Sequence, residues 1–273
     1  MNLRIATVGG MAFEVPKGAW WSFYNSPYPA HRLGTAIDVY FPDRALFPLE
    51  EGIVKVIRKV TTPAYVPIRE DYVIVFQVGE FCLKVLHVKP SIKVGERVSL
   101  GEEIGDMIIS GFYMPWSDKH AHFELRPCED PYRARGAFPI RPKVLRLVPT
   151  AKDREFEVVE CPENYCWVVP RRRGRRSLTP LTSEGVPIEG GLPHYHYGAA
   201  FEHMGEVRLF DVILPTCQIS SGVSIFDAAF TITANGKRVG IGIYCNQERI
   251  KLVGGSFEEG DVITLTASPR RNV

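Results

Sequence analysis

The chain has no apolar run long enough to cross a bilayer. Over its 273 residues every hydrophobic stretch is interrupted well short of the roughly 20 residues a membrane helix needs. Its first ten residues, M-N-L-R-I-A-T-V-G-G, lack the continuous apolar segment and small-residue cleavage site of a secretory signal. The expected compartment is therefore the cytoplasm, with no membrane partner. Strong charge of either sign is also missing: a net charge of +2 leaves only a local patch as a route to nucleic acid. Cysteine is scarce, at six residues (Cys82, Cys128, Cys161, Cys166, Cys217 and Cys245), and no repeated C-x-x-C pattern marks a structural thiolate zinc site. Cys161 and Cys166 bracket P-E-N-Y and could close a small loop, but a cytoplasmic chain is expected to keep free thiols. Finally, no helical period of ten residues or more precedes residue 119.

What is present reads as strand and turn. With 45% hydrophobic and 23% charged residues, the chain can bury a core and is long enough for two domains. Residues 3–8 predict a first strand stopped by Gly9-Gly10, and an aromatic, proline-punctuated stretch follows from Trp20 to Pro29, expected to pack across a groove. Residues 36–41, 52–57, 71–78 and 81–88 have strand chemistry, the last two joined at Gly79-Glu80 as a hairpin. Glycines then punctuate very short strands through residues 94–105. Many short strands with Gly and Pro turns imply an all-β sandwich or barrel.

One short run concentrates chemistry: Lys119-His120-Ala121-His122-Phe123-Glu124-Leu125. Alternation along a strand sends His120 and His122 from the same face, toward a common point. Paired imidazoles suit a metal ion, one ligating while its neighbour moves protons, although an isolated His-x-His is more often a structural or surface pair. The upstream His31, Asp38 and His87 raise the weight of the metal reading.

Taken in order, A-I-D-V-Y-F-P at 36–42, L-E-E-G-I-V-K-V at 49–56, V-L-H-V at 85–88, I-K-V-G-E-R-V-S-L-G-E-E-I-G at 92–105 and H-A-H-F-E-L-R at 120–126 resemble the lysostaphin-type zinc metallopeptidases. The resemblance covers about residues 28 to 127. It implies the duplicated hybrid motif, an all-β barrel-sandwich hybrid fold, and a zinc-dependent hydrolase acting on a peptide or peptide-containing substrate. By position it implies Asp38 and His122 as metal ligands, and His120 and His87 as catalytic histidines. The family's other ligand stands four residues before the aspartate, where this chain has Gly34. His31, seven residues before Asp38, is the substitute ligand. In a continuous strand that odd offset would place the two on opposite faces, so a bulge or turn is expected, with Gly34 permitting it. The changed spacing also motivates a second reading, a degenerate, non-catalytic relative that binds or scaffolds. Biotinyl and lipoyl carriers share the topology, but no exposed lysine tip is evident here and a carrier gives no reason for His120 and His122.

The boundary is expected near residue 150, giving a domain at 1–150 and a second β-sandwich-like domain at 151–273, whose family is not recognised. In the latter, 155–159, 206–214, 223–226, 230–233 and 262–265 read as strands, with Asn235-Gly236 as a hairpin turn. Arg171–Arg176 reads as a solvated basic loop without the aromatic pattern of a nucleic-acid site. His194, His196 and His203 raise the alternative of a second metal site. Oligomeric state and substrate identity are left open by the sequence.

Overall fold

A computed structural model describes residues 1–62, 68–220 and 222–270. The chain is all-β, with one short α-helical turn, Pro29–Arg32, among the described residues. It divides into two compact units: residues 1–23 with 29–143, and residues 24–28 with 144–273.

In the first unit the strands implied by apolar alternation form a seven-stranded antiparallel sheet. Its order is Arg97–Ser99, Glu51–Thr61, Glu70–Val78, Phe81–Leu86, Ala121–Pro127, Ile37–Tyr40 and Trp20–Ser22. Two three-stranded sheets accompany it: Ala45–Leu46, Glu103–Met107 and Val88–Pro90; and Ile140–Pro142, Asn2–Val8 and Met11–Pro16. The barrel-sandwich core lies between these sheets. Phe13 meets Phe123 edge-on with ring centres 5.4 Å apart, and Phe47 meets Phe76 at 5.0 Å. Each such ring is fully buried, worth about 1.5–3 kcal/mol relative to exposure. The hairpin expected at Gly79-Glu80 joins Glu70–Val78 to Phe81–Leu86.

In the second unit six strands close on themselves: Lys237–Ile243, Phe230–Ala234, Val262–Pro269, Glu155–Glu160, Tyr165–Pro170 and Ile250–Val253, the last pairing again with the first. Closure removes the exposed strand edges that an open sheet would leave. The barrel extends through Val186–Leu192 into Tyr197–Phe201, Val223–Asp227, Val212–Ser220 and Glu206–Leu209. Asn235 and Gly236 both have positive φ, as their hairpin turn requires. Residues 206–214, expected as one strand, are instead a hairpin, Glu206–Leu209 with Val212–Ser220. Phe210 adopts φ 54° at its tip, a turn unmarked by Gly, Pro or Asn.

Two expectations are corrected. The basic run is no loop: Arg173–Ser177 is a strand pairing with Val148–Ala151, and Arg171, Arg172 and Arg173 pair with Glu155, Asp153 and Glu248. The cysteines are not all free thiols either. Cys82 is bonded to Cys128 and Cys161 to Cys166, which leaves Cys217 and Cys245 as thiols. Both bonds join cysteines that strand pairing or a tight loop already brings together, something sequence spacing reveals for the second pair alone.

Candidate metal centre

Sheet register builds the centre. Ala121–Pro127 lies between Ile37–Tyr40 and Phe81–Leu86, so that His122 stands directly opposite Asp38 on one side and Leu86 on the other. Directly opposed residues share a face, about 4.5–5.5 Å apart at Cβ, and this brings the His122 ring and the Asp38 carboxylate together. His120 immediately precedes the strand, and its Nε2 lies 3.5 Å from Asp38 Oδ2. His87 follows Phe81–Leu86 at φ 65°, a conformation that turns it off the end of the strand.

His31 arrives differently. The segment before Asp38 carries no bulge; it is the helical turn Pro29–Arg32, closed by Gly34 at φ 67°. The Gly34 N–H donates to His31 O and the Thr35 N–H to Ala30 O, each at 2.9 Å, the paired closing bonds of a Schellman motif. A left-handed residue at that position is inexpensive only for glycine. The turn resets the alternation, so an odd offset of seven still delivers His31 to the face of Asp38.

Donor atoms of three residues converge. His31 Nε2 lies 3.2 Å from Asp38 Oδ2 and 3.3 Å from His122 Nδ1, while His122 Nδ1 lies 2.8 Å from Asp38 Oδ1. A tetrahedral zinc with ligands about 2.0–2.1 Å away needs donors about 3.3 Å apart, and these spacings are of that order. All three side chains are buried. Their outward-facing atoms are already engaged. His31 Nδ1–H donates to the Phe23 carbonyl at 2.8 Å, and His122 Nε2–H donates to Glu124 Oε1 at 3.0 Å. A carbonyl or carboxylate can only accept, which fixes each tautomer and leaves the inward nitrogen its lone pair. Two imidazoles and one carboxylate thus fit a catalytic zinc ion in number, kind and spacing.

The two remaining histidines are oriented by the same device. His120 Nδ1–H donates to Asp118 O at 2.9 Å, and the ring stacks on Tyr113 with centres 4.5 Å apart. His87 Nδ1–H donates to Asp71 Oδ2 at 2.7 Å, a carboxylate that also accepts from the Ser110 hydroxyl at 2.7 Å. Each ring keeps Nε2 for other work. The His87 and His120 rings are 5.5 Å apart, edge to face.

The electrostatics divide the histidines by role. Burial pushes His120 down to about 4, against the pull of Asp38, so at neutral pH it is an uncharged base. Burial also acts against a charged His122, but hydrogen bonds to Asp38 and Glu124 and their charges outweigh it and lift the ring to about 9. Without a cation the site therefore carries a proton where a metal ion would sit. For Asp38, burial favours protonation, yet His31 and His120 together with the His122 bond hold the carboxyl well below its usual range. Glu124 is held down to about 2: burial opposes this, and the His122 bond and the His122 and Lys84 charges prevail.

The structure thus brings together all five residues singled out in the sequence: His31, Asp38, His87, His120 and His122. It adds Asp71, Ser110, Tyr113, Glu124, Lys84 and Arg126. Glu124 continues the His120, His122 alternation and was legible on that ground; Asp71, sixteen residues from His87, left no local signal. The second histidine group does not form a metal site. Among the described residues the one cluster able to hold an ion is His31, Asp38 and His122. His203 Nε2–H donates to Glu206 O at 2.8 Å, a local turn contact.

Comparison with known proteins gives family membership without activity. Residues 14–142 match the N-terminal domain, and residues 148–268 the C-terminal domain, of DUF8155, described as domains of unknown function. No curated protein and no solved structure matches the chain.

Proposed function

We propose that the chain, which belongs to the DUF8155 family through both of its domains, is a zinc-dependent hydrolase that cleaves peptide bonds. The observation that carries the reading is the triangle of His31 Nε2, Asp38 and His122 Nδ1, each imidazole locked by an outer hydrogen bond into the tautomer a metal needs. A bound zinc ion supplies a Lewis acid and a water acidified toward pH 7.

The rest of the work falls to the chain. His120, uncharged at neutral pH and pinned at Nδ1 by Asp118 O, presents Nε2 as the group that takes up and returns a proton. Tyr113 holds its ring plane from one side. His87, whose Nδ1–H donates to Asp71, presents a second Nε2 whose lone pair is suited to accept a hydrogen bond from the attacking water or a substrate N–H. The substrate class, a peptide or peptide-containing molecule, rests on the resemblance of residues 28–127 to the lysostaphin-type peptidases.

No helix among the described residues is long and apolar enough to cross a membrane. The compartment proposed is the cytoplasm, which the two disulfides then require to be one that tolerates them, as in hyperthermophiles.

The test is metal content and turnover in parallel. Purified protein should hold one zinc per chain and release new amino termini from a peptide library, read by mass spectrometry. His122→Ala should lose metal and activity together, whereas His120→Ala should keep the metal and lose turnover. No zinc after loading, or equal zinc loss in the two variants, would overturn the assignment.

A further inference from the structure

The second unit contains a pocket that the metal centre does not use. It encloses about 220 Å³ and is lined by His194, His196, Arg238 and Arg270 on its polar side, and by Phe230 and Val239 among its apolar residues. That volume is below the roughly 300–1,000 Å³ of a site for a drug-sized ligand, so it suits a small group or the end of a larger molecule. No carboxylate lines it. Elsewhere in the unit Arg154, Arg171, Arg172, Arg173, Arg208 and Arg249 pair with Asp or Glu. Among the described residues Arg238 and Arg270 form no ion pair. Two arginines thus line one concavity that no carboxylate lines.

The histidine side is built. The turn between Val186–Leu192 and Tyr197–Phe201 is closed by Tyr195 N–H to Gly191 O and His196 N–H to Pro193 O, both 2.8 Å. His196 takes φ 67°, a conformation costly for a residue with a side chain and frequent at ligand sites. The His194 ring fills a slot left by two missing side chains. A Cβ on Gly240 would lie 2.3 Å from its Nδ1, and one on Gly191 would lie 2.7 Å from its Nε2. Burial chiefly, with Lys251 and His196 adding to it, presses His194 down to about 4.

We propose that this pocket binds a small oxyanion, a phosphate, sulfate or carboxylate group, gripped by Arg238 and Arg270 and hydrogen-bonded by the histidine turn. Guanidinium forks suit such groups because their N–H donors match paired oxygens. The order of assembly follows from the chain: Arg238 opens Lys237–Ile243, Arg270 follows Val262–Pro269, and Phe230–Ala234 lies between those two strands in the barrel.

The experiment uses the full chain at low ionic strength. The ring resonances of His194 and His196 are followed by NMR while inorganic phosphate, sulfate or acetate is added, with sodium chloride matched for ionic strength as the blank. Saturable shifts with an oxyanion and none with chloride are expected. Arg238→Ala and Arg270→Ala should each weaken binding about tenfold, the loss of one charge-assisted contact, and Arg238→Lys should recover part of it. Tighter binding of phosphate and sulfate assigns a tetrahedral ligand group, and tighter binding of acetate assigns a carboxylate such as a peptide C-terminus. Shifts that follow ionic strength alone, or undiminished binding in both alanine variants, overturn the proposal.

Discussion

Glu124 stands behind His122, a ligand in the proposed metal site, and its replacement separates support from ligation. The side chain is 3% exposed and takes three donors: Lys84 Nζ at 2.5 Å, Arg126 Nη1 at 2.8 Å and His122 Nε2 at 3.0 Å. Arg126 is itself wholly buried. Glu124→Ala removes the one carboxylate shared by two buried cations, and breaking such a set costs about 3–5 kcal/mol. Glu124→Gln keeps the volume and an acceptor but not the charge, so the fold should survive while the His122 ring loses the neighbouring charge that raises its basicity. Loss of an outer-shell partner of this kind lowers metal affinity about 10- to 100-fold, or about 1.4–2.7 kcal/mol. Zinc affinity is read by competition with a chromogenic chelator, and stability by urea unfolding followed by circular dichroism. A pH series adds the sign. The Glu124 carboxyl sits near 2 in the folded protein against an ordinary value of 4.5. Its contribution is therefore complete above about 4.5 and fades as pH falls toward about 2, a slope the Gln variant should lack. Wild-type zinc affinity in Glu124→Gln would refute the reasoning, since the carboxylate charge behind His122 would then add nothing to ligation.

Gly34→Val should weaken zinc binding about tenfold in the same chelator assay, because a left-handed residue costs an L-amino acid about 1–2 kcal/mol and the turn that delivers His31 must deform; unchanged affinity would detach His31 from the site. Asp71→Asn should leave zinc content intact while lowering peptide turnover by about 10²-fold, the scale of a misoriented proton-handling or hydrogen-bonding imidazole, and loss of metal instead would make Asp71 structural. The Cys82–Cys128 bond closes a 46-residue separation and the Cys161–Cys166 bond one of 5, which loop entropy converts to about 4 and about 2 kcal/mol. Cys82→Ser should therefore destabilise more than Cys161→Ser in denaturant titrations, and the reverse order would show that strain or residual structure governs instead.

The parts of the molecule visible in the sequence are those set by period and by local turn chemistry. Alternation placed the strands around Ile37, Val54, Ile74, Val85 and Phe123, and the pair His120 and His122 carried the site. Where a turn is made by residues without a turn signature, the reading fails: Phe210-Asp211 broke an apparently continuous strand. For His31 the odd offset from Asp38 called for a bulge or turn at Gly34, and the turn is what forms; that it is one turn of helix was not legible in H-R-L-G-T. Asp71 and Ser110 were invisible, since their value lies in a meeting with His87 that only the sheet creates. Lys84 and Arg126 face Glu124 across and along strands, a buried charge set that resembles ordinary surface residues until burial is known.

The five residues 24–28 belong with the C-terminal unit although the chain reaches them near its start. Tyr24 N–H donates to Glu189 Oε1, Asn25 Nδ2 to Ile243 O, and Ser26 O accepts from the Tyr197 hydroxyl, across separations of 165 to 218 residues. At about 5–20 residues per second of synthesis, those partners emerge roughly 10–40 s after the segment that needs them. During that interval residues 24–28 lack the partners they hold in the finished unit. A nascent chain halted before residue 243 is therefore expected to hold residues 24–28 with the Asn25 bond still unmade.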